Sequence, residues 1–334
     1  MININQNESP IPALTQEEII NIVSTSDFKV YPEGQYHDFL QAYADYYNLN
    51  VNQVLAANGS DEWIQKCMLT LPKGPVLALN PDFVMYTEFA QQTDRPIEYV
   101  ESDENFQFSL DTILSRIEEV QPAFFIMSVP HNPTGVQYPT EFLLAISDKL
   151  KSIGSYFVLD EAYIEFGKTI DIPLQSHLII MKTLSKAFAL AGLRIGIVIS
   201  TPETIKQLNR LAHPYPMSTL SLRLAEALFK DQKRVKQLIA EQRFLCRKLQ
   251  DIFNQYVADK ITIIPSQANF VFTYGKHARE LGEYVKAHGF LPRIYKEPLL
   301  SEAVRYSIAT EQELDQLEMI VKEWSDQFEL QKTT

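Results

Sequence analysis

The chain has 334 residues, enough at roughly 100–200 residues per domain for two domains with substantial cores, which excludes a peptide scaffold or an isolated binding module. Hydrophobic residues at 46% and charged residues at 22% exclude a disordered or fibrous chain. With 30 Lys+Arg against 42 Asp+Glu, a net charge of −12 and no basic run, nucleic acid and anionic membrane are poor partners.

The N-terminal stretch Met1–Glu8 has neither a basic nor an apolar targeting region, and nowhere do 18 apolar residues run together, so a cytoplasmic protein is expected. Asn58-Gly59-Ser60-Asp61-Glu62 opens a helix over Trp63–Leu71. From Pro75 onward short apolar runs alternate with amphipathic stretches, the pattern of a βα domain. Strands are predicted at 76–79, 97–100, 123–129, 156–159, 177–181 and 195–199, and their continuous apolar character fits parallel strands buried on both faces. Between them lie helices over 85–91 and 110–120, the latter with Ser109 as N-cap, and one with Pro139 in its first turn that Gly154 closes. After Ser200 long helices follow, with Pro202 in a first turn. Strands at 261–264, 269–274 and 304–308 then alternate with two helices as a smaller α+β lobe. Thr310 and Glu313 form a capping box, opening a last helix with the apolar stripe Leu314, Leu317, Val321, Trp324 and Phe328. Cys67 and Cys246 fall at helical spacing with apolar neighbours and read as core thiols; no zinc pattern exists.

Four places at strand ends or helix starts carry chemistry, where open α/β sheets bind ligands. The first is the run Lys182–Arg194. A lysine after a buried strand, among small and apolar residues, has its amine desolvated and its pKa lowered, as a Schiff-base nucleophile requires. Eight residues beyond Lys186, Arg194 brings a fixed cation suited to phosphate. Spacing alone leaves a surface lysine equally open. The second is Asp160 at the end of the 156–159 strand, where a carboxylate can hold a protonated pyridine nitrogen, with Tyr163 nearby; a turn-capping aspartate is the competing reading. The third is Pro130–Gly135, a rigid loop aiming the Asn132 amide, with His131 as loop filler and not a metal ligand. The fourth is the helix start at Ser60 and Asp61, an anion site or simply an N-cap.

In this order the segments resemble fold-type I pyridoxal-phosphate enzymes, and among them the histidinol-phosphate aminotransferase branch. The resemblance runs through Asn7–Pro10, Tyr31-Pro32-Glu33, Asn58–Glu62, Pro81–Tyr86, Asn132–Gly135, Asp160–Phe166, the lysine motif and Arg305-Tyr306-Ser307, and so covers most of the chain. It implies an α/β fold with a large cofactor-binding domain, a mostly parallel sheet between helices, over residues 28–245. A small α+β domain spans 246–334, and an N-terminal segment, 1–27, joins the two.

It implies further that Lys186 carries pyridoxal 5'-phosphate as a Schiff base and shuttles the proton, and that Asp160 keeps the pyridine nitrogen protonated. Asn132 and Tyr163 would bond the ring hydroxyl, and Phe83 would stack on the ring. Ser60, Asp61, Ser185 and Arg194 would cradle the phosphate, and Tyr31 would reach the neighbouring subunit's cofactor phosphate in a homodimer. Arg305 and Arg293 would receive the substrate's anionic group, with Asn7 also on the substrate side.

Two departures bear on substrate. The family's longer N-terminal segment carries an aromatic residue near the substrate phosphate, so one phosphate contact is expected to be missing or replaced. Its usual pair of asparagines near Tyr215 is here Tyr215-Pro216-Met217-Ser218. The expected reaction is transfer of an amino group from histidinol phosphate or an aromatic amino acid to 2-oxoglutarate, and the nearest alternative is a threonine-phosphate decarboxylase-like lyase. A cofactor-binding regulator lacks an appended basic DNA-reading domain here, and a nicotinamide dehydrogenase lacks Gly-x-Gly-x-x-Gly after any strand.

Overall fold

The computed structural model describes residues 1–332. The chain opens with β1 (Ile2–Ile4), α1 (Gln16–Ser24) and α2 (Gln35–Tyr47). It continues with β2 (Val54–Asn58), α3 (Gly59–Thr70), β3 (Val76–Asn80), α4 (Met85–Gln92), β4 (Ile97–Glu101), α5 (Leu110–Val120), β5 (Phe124–Ser128), α6 (Thr140–Ser152), β6 (Tyr156–Asp160), β7 (Leu178–Thr183) and β8 (Ile195–Ile199). Helices α7 (Pro202–Leu208), α8 (Thr219–Lys230) and α9 (Gln232–Val257) lead to β9 (Thr262–Ile264), β10 (Phe270–Tyr274), α10 (Ala278–Ala287), β11 (Phe290–Ile294), β12 (Val304–Ser307) and α11 (Glu311–Lys332).

The larger sheet has the strand order β2-β8-β7-β6-β5-β3-β4. Its apolar runs are buried on both faces because residues alternate between two cores. Val76, Ala78, Phe124, Ile126 and Val158 pack with Trp63 and Ile64 of α3 on one side. Leu77, Leu79, Phe125, Met127, Phe157 and Leu159 pack with Ile113 of α5 and Leu143 of α6 on the other. The smaller sheet, β1-β11-β12-β10-β9, takes its edge strand from the N-terminus, with β1 parallel to β11. The expected joint between residues 245 and 246 lies inside the 26-residue α9.

Several expectations are corrected here. β8 runs antiparallel to both β7 and β2, against the direction of the remaining six strands. Residues 184–194 between β7 and β8 contain no long helix, and a chain that returns locally can only come back antiparallel. β7 extends to Thr183, so Lys182 lies within a strand instead of after it. Pro139 sits at the N-cap of α6 with ψ 157, one residue before the first turn. Ser60 is inside α3, which starts at Gly59, so it is not the N-cap. The capping box at Thr310 and Glu313 and the buried stripe of the last helix are present as expected, and both cysteines are free and buried.

One close approach fixes the site's geometry. A Cβ on Gly196, in β8, would lie 2.2 Å from the backbone of Gly59 and Ser60. The Trp63 indole N–H also donates to the Gly196 carbonyl at 3.0 Å. Gly196→Ala therefore forces the start of α3 away from β8, and should cost about 1–3 kcal/mol in denaturant unfolding. Unchanged stability would show that the two segments separate freely.

Candidate active site

The carboxyl ends of β3, β5, β6 and β7, the N-terminus of α3 and the start of β8 meet on one side of the larger sheet. A cavity of about 300 Å³ there is lined by Ser60, Asp61, Phe83, Asn132, Asp160, Tyr163, Ser185, Lys186 and Arg194. A second chamber of about 400 Å³ shares Gln6, Phe83, Asn132, Tyr163 and Lys186 with the first, and adds Asn7, Arg293 and Arg305. Lys186 thus stands in the wall common to both.

At one end of the first chamber the helix start is open to an anion. Asn58 makes no side-chain cap on α3, and Arg194 reaches over Gly59 to pair with Asp61 at 3.1 Å. Arg194 itself has φ +52, which turns the chain into β8. Ser185 is set by Thr183, whose hydroxyl accepts from the Ser185 N–H at 3.1 Å and donates to its Oγ at 2.9 Å.

At the other end stands Asp160, buried. Its Oδ2 accepts from the Tyr86 hydroxyl at 2.9 Å and its Oδ1 from the Ala162 N–H at 3.1 Å. Burial raises its pKa to about 6, and the Tyr86 hydrogen bond opposes that rise. The Lys186 amine donates to the Gln6 carbonyl at 2.8 Å. Desolvation, with the Arg305 cation next in importance, lowers its pKa to about 8. A useful fraction of this amine is therefore neutral near physiological pH.

Arg305 anchors the second chamber. It is buried, donates to Asn132 Oδ1 at 2.6 Å and to the Asn5 carbonyl at 3.0 Å, and leaves its Nε without a partner. Asn7, at φ +57, links the lobes: its amide donates to the Tyr163 hydroxyl at 2.9 Å, and its Oδ1 accepts from Ser307 at 2.6 Å. Arg293 lies at the chamber's mouth, about half exposed, facing Glu297 at 3.5 Å. Tyr31 is not brought to either chamber of its own chain. It is 70% exposed and stacks on Tyr215 with ring centroids 4.4 Å apart. His131 is buried and neutral, bonded to the Pro81 carbonyl at 2.8 Å and Thr134 at 2.7 Å. No group of metal-binding side chains exists among the described residues.

Sequence reasoning missed Tyr86, Asp82, Ser128 and Gln6. Asp82 is a second buried carboxylate, pushed up to about 7 by burial, that accepts from the Ser128 hydroxyl and from the Phe83 N–H at 2.7 Å. Ser128 Oγ in turn accepts from the Asn132 N–H at 2.8 Å, so this chain of bonds aims the Asn132 loop. The only available signal was that Tyr86 falls three residues after Phe83, where a helical turn places both on one side.

The residues present fit a phosphate-bearing heteroaromatic cofactor. An uncapped helix start with Arg194 suits a phosphate, and a buried carboxylate opposite suits a protonated ring nitrogen. The family model for aminotransferase class I and II matches residues 1–318. The chain belongs to that family, as a pyridoxal-phosphate-dependent aminotransferase of fold type I.

Within the family it is similar to the histidinol-phosphate aminotransferase of Hydrogenobaculum sp. (strain Y04AAS1), with 31% identity over 98% of this chain and 93% of that protein. The crystal structure of histidinol-phosphate aminotransferase from Sinorhizobium meliloti in complex with pyridoxal-5'-phosphate superimposes with a TM-score of 0.85 at 22% identity, over 98% of this chain and 91% of that one. The fold is shared also by L-threonine-O-3-phosphate decarboxylase from Porphyromonas gingivalis, with a TM-score of 0.80 at 17% identity, over 98% and 100%.

Removing the Tyr86 hydroxyl should raise the Asp160 pKa, because the hydrogen bond favours the ionised carboxylate. A cofactor ring held by that carboxylate binds above its pKa and is released below it. The acid limb of pyridoxal-phosphate affinity should therefore move to higher pH in Tyr86→Phe, by about one pH unit. A limb that stays in place would remove Tyr86 from this role.

Proposed function

We propose that this enzyme transfers an amino group from histidinol phosphate or an aromatic amino acid to 2-oxoglutarate, with Lys186 as the lysine that carries the cofactor as a Schiff base. The observation behind this reading is that Lys186 stands between a chamber ending in Asp160 and a chamber ending in Arg305. The cofactor, when bound, supplies an electron sink for the substrate's Cα carbanion.

The chain's own residues do the rest. Ser60, Asp61, Ser185 and Arg194 hold the phosphate end, Asp160 keeps a positive charge on the ring nitrogen, and Phe83 covers the ring face. Asn132 and Tyr163 receive the ring hydroxyl. Lys186, with its lowered pKa, takes and returns a proton at the substrate's Cα. Arg305, already oriented by Asn132 and Asn5, offers its guanidinium to the substrate's anionic group, and Arg293 at the mouth serves a second one. The aromatic wall of Phe83, Tyr86, Tyr99 and Tyr295 suits an aromatic or imidazole body.

Borohydride treatment of the loaded protein should fix the cofactor covalently to wild type, and Lys186→Ala should abolish the adduct. An adduct at an unchanged level would overturn the lysine assignment. Single-turnover spectra with each donor should then show conversion to the amine form of the cofactor, with 2-oxoglutarate restoring it. Carbon dioxide release with no need for an acceptor would favour the decarboxylase reading.

Tyr31 is proposed to complete the site of a second copy of the chain. Phe28, Val30 and Tyr31 are all more than half exposed on one short segment, an apolar surface that a partner would cover. Mixing Tyr31→Phe and Lys186→Ala chains should form heterodimers with one intact site, raising activity above either parent. Activity at the average of the two parents would confine Tyr31 to its own subunit.

A further inference from the structure

A separate cavity of about 630 Å³ lies away from the two chambers that share Lys186. It lies behind the ends of β6 and β7, between the C-terminal end of α2, residues 164–174 and the first half of α9. Its walls are mostly aliphatic, including Ile164, Ile172, Ile180 and Ile239.

The charges around it are unevenly spent. Its two carboxylates are buried and already engaged: Glu161 pairs with Lys182 at 2.9 Å, and Glu165 accepts from Lys182 at 3.0 Å and from the Tyr47 hydroxyl at 2.7 Å. Lys236, Arg243 and Arg247 lie seven and four residues apart along α9, a spacing that puts them on one helix face at the cavity. Arg243 is tethered to the carbonyls of Glu165 and Gly167. Lys236 and Arg247 are exposed and form no ion pair among the described residues. Counting Lys182, four cations face two anions in the lining, a local excess of positive charge in a chain whose net charge is −12.

A concave aliphatic surface with unpaired cations at its rim recognises an anion that carries an apolar body. A cation would meet only acids that are already paired. We propose that this cavity is a second binding site, distinct from the transamination site, for an amphipathic monocarboxylate whose chain lies on the isoleucine wall and whose carboxylate meets Arg247 at the rim. Inorganic phosphate, having the charge without the chain, should bind more weakly.

The test is calorimetric titration of the pyridoxal-phosphate-loaded protein with butanoate, hexanoate and octanoate, in saturating maleate so that Arg305 and Arg293 are occupied. Burying methylenes should tighten binding by up to roughly fourfold for each one added. Arg247→Glu, which reverses the rim charge, and Ala240→Trp, which fills the mouth from an exposed helix position, should each weaken octanoate at least tenfold while leaving transamination unchanged. Affinity independent of chain length, binding abolished by maleate, or octanoate affinity unchanged in both variants would each overturn the proposal.

Discussion

The contact of Gly196 with Gly59 and Ser60 is the constraint on which the site depends. β8 must pass directly under the start of α3, and only a residue without a side chain lets backbone meet backbone. That approach places the uncapped helix start beside Arg194, one residue before β8, and beside the loop that carries Ser185 and Lys186. The anion-binding end of the cavity is thus assembled from three segments whose close approach one steric requirement permits and the Trp63–Gly196 and Arg194–Asp61 contacts hold.

The rest of the cavity works by controlled desolvation. Asp160 is pushed towards its neutral form by burial and held back by Tyr86, whereas Lys186 is pushed towards its neutral form by burial and by Arg305. Each group sits near a balance at neutral pH, where a proton costs little to move. Asp82 and His131 are buried too: Asp82, on the wall of the second chamber, ties the Phe83 loop to Ser128 at the end of β5, and His131 ties its own turn to Pro81. Together they set the shape of the loops that bear Phe83 and Asn132.

The large sheet was legible because fully apolar runs such as Phe124–Met127 admit no exposed face, and the lysine motif through its resemblance to a family, since spacing alone left a surface lysine equally open. What escaped has definite causes. β11 contains Pro292, which weakens any strand signal, and β1 is only three residues long, so the N-terminal edge of the small sheet could not be read. β8 had the composition of a parallel strand, since burial on both faces looks the same in either direction. Tyr86 meets Asp160 across 74 positions, a pairing that only the fold creates.

His131 makes one turn of the site sensitive to acid. Its imidazole is held neutral, with a pKa lowered to about 4 by burial, whereas an unfolded chain's histidine binds its proton near 6.5. Between those values the unfolded state carries the extra proton, so, against the opposite drift of the raised Asp82 and Asp160 carboxyls, the His131 contribution to native stability is full above pH 6.5 and drains as pH falls towards 4. The loss is on the order of 3 kcal/mol. Because Nε2–H keeps its tie to the Pro81 carbonyl in either state, the proton arrives at Nδ1 and displaces the Thr134 hydroxyl that donates there. Acid should therefore strain the 131–135 turn that carries Asn132 and leave the tie to the Phe83 loop in place.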